Sequence, residues 1–230
     1  MLSNIRQVVL VKFVTTLLFA SAAFAQTADV IPDTLDQESD THILGIVPNY
    51  NAVEVPKPFT PLTTKGKFKI GAEDSFDPYT WVLTSFYAAV AQELNQDREY
   101  GQGAAGYAKR YGAQFADGAI SNMLTESFLP TLLHEDPRFF RRGEGGFWSR
   151  TGYAASRVLV TRTDKGSNRF NTSEIAGNMV GAAIGDLYHA PSERPFSEVI
   201  ERFAISTISD SAFNVLKEFW PDMRRKVLKK

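Results

Sequence analysis

Between Asn171 and Tyr188 the chain carries Gly177, Gly181 and Gly185 at four-residue spacing, directly after Asn171-Thr172-Ser173-Glu174, which has the form of a helix capping box. Each glycine inside a helix costs about 1 kcal/mol relative to alanine. Three on one face therefore require a compensating close approach by another helix. The apolar part of this segment, Ile175 to Ile184, is too short to span a bilayer and ends at Asp186. The expectation is tight packing inside a helical bundle, with an oligomerisation or membrane-surface helix as the alternative. Ala104, Ala108, Gly112 and Ala116 suggest a second smooth stripe, so Gly112, Gly177, Gly181 and Gly185 are the expected helix-packing positions.

Other helix signals agree. Asp77-Pro78 pairs an N-cap acceptor with proline at the first helical position, and apolar residues recur from Tyr79 to Leu94 at the spacing of one face. A shorter helix is expected over Thr64–Asp74, a long one from near Gly103 toward Pro130, another over Phe147–Thr161, and one running to about Tyr188. The last spans about Phe196–Phe219 and is stopped by Pro221. Strand-like alternation is weak. The fold class is therefore all-α, an irregular bundle of about five helices with an extended N-terminal arm.

The arm follows an export signal. Arg6 and Lys12 precede the apolar core Phe13–Ala20, and Ala23-Phe24-Ala25 has the small-x-small pattern of a signal-peptidase site. The charge-free run Phe13–Ala28 falls short of the roughly 20 apolar residues of a membrane span. We expect residues 1–25 to be a signal peptide cleaved after Ala25, residues 26–62 an acidic, proline-rich arm, and 63–230 the helical domain of a periplasmic or outer-envelope protein. Disorder is expected over 26–40. From there extended chain, with room for one short strand, packs through Ile43, Ile46 and Val53. Without cysteine the fold must rest on its apolar core even in an oxidising compartment.

Loss of Arg6 and Lys12 takes the 25 basic residues to 23 against 26 acidic ones, net −3. That balance argues against a nucleic-acid partner. Within it, Arg138 to Arg169 is locally basic and interleaved with aromatics. Arg138, Arg141, Arg142, Arg150 and Arg157, with Trp148, are the candidate surface for an anionic envelope lipid or polysaccharide. The alternative is that these arginines pair with acids such as Asp117, Glu126, Glu174 or Glu218.

His134 beside Glu135 and Asp136 could form an acid–base unit in a hydrolase. Adjacent residues rarely converge on one substrate, so a sharp ion-paired turn anchored by Phe139 and Phe140 is the expectation. Asp186 and His189 have a metal-ligand spacing, but no second copy accompanies them, and helix-end solvation is expected. Gly101–Gly106 matches G-x-G-x-x-G without a preceding strand and reads as a helix start. No nucleophile elbow or phosphate loop occurs, and no cofactor is implied.

Four blocks carry a resemblance: Gly45–Tyr50 (GIVPNY), Lys109–Ala113 (KRYGA), Leu133–Phe140 (LHEDPRFF), and Asn214 with Glu218–Asp222 (EFWPD). In these blocks the chain resembles a family of exported bacterial proteins without an assigned activity. The resemblance implies a single domain from about 43 to 225 and brings no catalytic residues.

Overall fold

A computed structural model describes residues 41–43, 45, 47–54, 59–189 and 196–228. The expected signal peptide, the acidic stretch 26–40, Ile46 and the loop prolines Pro191 and Pro195 lie outside them. The described chain is mostly helical. α1 (Thr64–Phe76) starts at Thr63, whose hydroxyl accepts from the Gly66 amide, and α2 (Pro78–Glu93) starts at Asp77, whose carboxylate accepts from the Tyr79 amide.

The long central helix is α3 (Gly103–Asn122), which continues through a π-helical turn, Met123–Phe128, into α4 (Leu129–Leu133). It does not stop at Pro130. Proline lacks an N–H and crowds the carbonyl four residues back, and a widened turn accommodates both. Gly101 and Gly103 take positive φ, and Gly106 sits tight against the Gly101 carbonyl, so the G-x-G-x-x-G match is a helix start. Fully buried Arg110 donates to the carbonyls of Gln96 and Gly101 and pins that loop.

α5 (Phe147–Ser156) ends earlier than expected, because Val160–Thr163 forms a strand in a small antiparallel sheet. The three arm strands are β1 (His42–Ile43), β2 (Val47–Pro48) and β3 (Ala52–Val53); in the domain come β4 (Glu135–Asp136), β5 (Phe139–Phe140), β6 (Val160–Thr163) and β7 (Asn168–Phe170). β1 pairs with β2, β3 runs parallel to β5, and β6 lies between β4 and β7. β-branched residues in 158–163 favour this hairpin, and Gly166 turns it at positive φ.

α6 (Thr172–Gly185) starts as the capping signal indicates, the Asn171 side chain accepting from the Glu174 amide. Its glycine face lies on the central helix. A Cβ at Gly177 would come 2.6 Å from Thr125 Cγ2, and one at Gly181 would come 2.8 Å from Ser121 Oγ. One at Gly185 would meet Asp117 Oδ1 at 3.0 Å. Gly112 departs from expectation: it is exposed with open space around it, as are Ala104 and Ala108. α3 instead buries Gly106, Arg110 and Ala113.

α7 (Phe196–Leu228) corrects the expected stop at Pro221, which lies inside the helix. Its missing N–H leaves the Lys217 carbonyl without its helical donor, and Arg141 Nε donates to that carbonyl at 3.1 Å. The arm packs on this helix, where Ile43, Val47 and Trp220 form a buried cluster backed by Tyr79, Phe213 and Leu216. Asp77 fastens it further, its carboxylate lying 2.8 Å from His42 Nε2 and accepting from the Tyr50 hydroxyl at 2.6 Å.

Candidate functional site

The helices and the arm enclose a cavity of about 370 Å³ with a polar wall. α7 supplies Ser206, Asp210, Asn214 and Lys217, spaced to share one helical face. α1 adds Asp74, the π-helical turn Glu126, and α6 Glu174 and Asn178. Asn51 closes the wall from the arm. These carboxyls keep partial accessibility, but they line the cavity deep in the protein, and it is the cavity that they face.

The acids form two pairs. Asp74 neighbours Glu126, and Glu174 neighbours Asp210. Burial, reinforced by the Asp74 charge, pushes Glu126 well above the usual carboxylate range; burial and the Asp210 charge do the same to Glu174. Burial also raises Asp74 and Asp210, with Lys217 pulling both back. All four carboxyls thus hold a proton more tightly than a free carboxyl does.

Amides link the pairs. Asn51 Nδ2 donates to Glu126 Oε1 at 2.9 Å, while its Oδ1 accepts from Lys217 Nζ at 2.7 Å. Asn178 Nδ2 donates to Glu174 Oε1 at 2.9 Å and Asp210 Oδ2 at 3.3 Å, and Ser206 Oγ donates to Asn178 Oδ1 at 3.0 Å. Such a wall offers donors and acceptors of several kinds to a small polar ligand.

His134 is not brought to this wall. It caps α4 in the left-handed conformation, and its side chain is 84% exposed. Glu135 and Asp136 do line the cavity, but both are buried and held by other partners. Glu135 accepts from the Ser173 amide at 2.9 Å and pairs with Arg169, while Asp136 accepts from Arg138 Nε at 2.9 Å and Nη2 at 2.6 Å. The three residues do not converge on one point, and the hydrolase reading through His134 loses its geometry.

The arginine set divides. Arg150 is buried between Glu218 and Asp222 over the Phe219 ring, and buried Arg141 reaches Glu54 besides the Lys217 carbonyl. Arg142 is exposed, donating to Ser149 Oγ at 3.0 Å, and Trp148 is 82% exposed beside Phe147. Arg157 lies over Tyr153 and lines the cavity. Of the acids expected to pair with this set, Glu218 does so; Glu126 and Glu174 face the cavity, and Asp117 serves His189.

Asp186 pairs with Arg202, and His189 contacts Asp117 at 2.9 Å and Asp97 at 3.8 Å. Burial opposes the His189 charge, but the two aspartates outweigh it and raise the pKa to about 9, so the ring carries the proton a metal ligand must lose. Among the described residues no cluster of three or more His, Asp or Glu is placed to hold a metal.

No protein-family model, no curated protein and no solved structure matches the chain. The cavity acids had no local motif to reveal them. Their one sequence signal is Asp210 and Lys217, a carboxylate and a cation two turns apart on a face that also carries Phe213.

Proposed function

We propose that the chain is an exported binding protein of the cell envelope whose ligand, a hydroxyl-rich molecule such as a saccharide unit of an envelope glycan, occupies the interior cavity. The observation that carries this reading is the cavity wall itself, two neighbouring carboxyl pairs with the amides of Asn51 and Asn178 and the Lys217 ammonium among them. Carboxyls and amides match the paired donor and acceptor character of vicinal hydroxyls, and Tyr79 and Phe213 supply ring surface for the ligand's C–H faces. Export rests on the N-terminal leader. Among the described residues no helix is long and apolar enough to cross a membrane.

Thermal denaturation of the purified protein with glucose, galactose or N-acetylglucosamine tests the reading. A ligand at a hundred times its dissociation constant stabilises by about 2.7 kcal/mol. At least one sugar is expected to raise the midpoint, and Asn178→Ala to abolish the effect. If no saccharide shifts the midpoint at concentrations up to tens of millimolar, the reading fails. Cell fractionation tests export, with a chain shortened by its leader expected outside the cytoplasm.

A second reading has one observation in its favour. Glu126, whose carboxyl is pushed well above the usual range by desolvation, is suited to general acid catalysis. Hydrolysis of nitrophenyl glycosides by the wild type, lost in Glu126→Gln, would make the protein an enzyme acting through these carboxyls.

A further inference from the structure

The cavity lining also holds arginines, on the side where β4 and β6 pair. Arg157, just after α5, and Arg162, on β6, both line it, and each buries a guanidinium Nε that has no hydrogen-bond partner. The ion pairs of this region belong to other arginines: Arg138 holds Asp136, Arg150 holds Glu218 and Asp222, and Arg169 holds Glu135. Among the described residues Arg157 and Arg162 form no ion pair. Arg157 makes one long side-chain hydrogen bond, to Asn168 Oδ1 at 3.4 Å, and Arg162 makes no side-chain hydrogen bond.

What holds them is aromatic. The Arg162 guanidinium lies 4.8 Å from the Phe140 ring centre and 6.0 Å from that of Phe59, and Arg157 lies 4.5 Å from that of Tyr153. Rings fix the planes of the two guanidiniums, and apart from the long bond to Asn168 no acceptor among the described residues meets their N–H groups. The like charges also act on each other: burial foremost, together with Arg162, lowers the Arg157 pKa from its ordinary value against the opposing effect of Tyr153. Two guanidiniums lining one cavity, partly desolvated and without a counter-ion among the described residues, are an unfavourable arrangement for the empty protein. An oxyanion between them would satisfy the N–H groups of both in the fork geometry that arginine offers to carboxylate and phosphate.

We infer that Arg157 and Arg162 form an oxyanion subsite in the cavity, so that its ligand carries a carboxylate or a phosphate in addition to hydroxyl groups. This inference rests on the reading of the cavity as a saccharide site and narrows its ligand to an acidic sugar. The neutral part lies along the carboxyl pairs and the asparagines, and the anion lies against the two arginines. Glu135 and Asp136, the acids of the adjacent strand, do not compete for them, because Arg169 and Arg138 already neutralise them.

The test compares four probes, namely glucose, glucuronate, glucose 6-phosphate and inorganic phosphate. Binding of each is measured by calorimetry to the wild type, Arg157→Gln and Arg162→Met, the last keeping a long apolar stem between the two rings. Glucuronate or glucose 6-phosphate is expected to bind the wild type at least tenfold more tightly than glucose, and to weaken about tenfold or more in either variant. Whichever of the two binds identifies the anion as carboxylate or phosphate. Ligand-free Arg162→Met is expected to melt no lower than the wild type, since it relieves repulsion; a purely structural arginine would melt lower when removed.

Inorganic phosphate separates the two ideas. Phosphate binding lost in both variants, with no sugar bound, leaves the anion subsite standing and removes the saccharide reading. A sugar that binds all three proteins equally keeps the saccharide reading and overturns the subsite. Absence of binding by every anionic probe also overturns it.

Discussion

Gly177 and Gly112 both lie inside long helices and differ in what surrounds them, so one substitution at each position separates helix propensity from packing. Alanine in place of a helical glycine gains about 1 kcal/mol from reduced backbone freedom. At Gly112 nothing lies within 4 Å of the added methyl, so that gain is the whole effect. At Gly177 the methyl would sit 2.6 Å from Thr125 Cγ2 and 3.2 Å from both Thr125 Cα and N. A rotamer change can move the threonine methyl; it cannot move the backbone of the π-helical turn. Overpacking of this kind costs about 1–3 kcal/mol, and a backbone obstacle places Gly177 in the upper part of that range. Gly177→Ala is therefore expected to be destabilised by about 1–2 kcal/mol net, and Gly112→Ala stabilised by about 1 kcal/mol. For a chain of this length that corresponds to a midpoint about 3–6 °C lower in the first variant and about 2–4 °C higher in the second. Urea denaturation followed by circular dichroism provides the free energies. Equal effects of the same sign would refute the placement of α6 against the π-helical turn.

Two further outcomes follow from the charges. Glu126, Glu174 and His189 all bind protons more tightly in the folded chain than their ordinary values allow. Their stabilisation is fully present below their unfolded values and is lost as pH rises through the folded ones, from about 6.5 to about 9 for His189. Stability is thus expected to fall from mildly acidic pH toward pH 9. Denaturation across that range should show a shallower decline in Glu126→Gln, whose side-chain oxygen still accepts from Asn51, and a flatter profile between 6.5 and 9 in His189→Gln. Asp77→Ala removes an N-cap worth about 1 kcal/mol together with the anchors of His42 and Tyr50, each worth about 1 kcal/mol. Limited proteolysis is expected to cut that variant within residues 41–54 well before the wild type; equal cleavage would remove Asp77 as the anchor of the arm.

Much of the helical framework was legible because its signals are local. Asp77 and Asn171 cap the helices they were expected to cap, and the glycines of α6 packed as their cost required. The two prolines misled for a shared reason. Pro221 forbids one hydrogen bond, and whether a helix survives that loss depends on a distant donor, here Arg141, which lies 76 residues from the carbonyl it satisfies. The cavity was illegible on the same grounds. Asp74, Glu126, Glu174 and Lys217 come from four separate elements, and no local spacing relates them. The arginine-rich stretch was visible as composition, but which arginines would be neutralised depended on Glu218 and Asp222 near the far end of the chain.

Asn51 joins the first part of the described chain to the last: it touches Glu126 with one side of its amide and Lys217, 166 residues further on, with the other. A ribosome releases the arm first and α7 last, so the arm can reach Asp77, Glu126 and β5 early but lacks its seat on α7 until nearly all the chain has been made. Until then Ile43 and Val47 have no Trp220 to cover them, and the cavity acids lack Asp210 and Lys217. The cavity is accordingly the last part of the molecule to assemble, at the slow, non-local end of the folding reaction. Loss of the last turns of α7 from Lys217 on would thus cost both the arm's seat at Trp220 and the cation of the site.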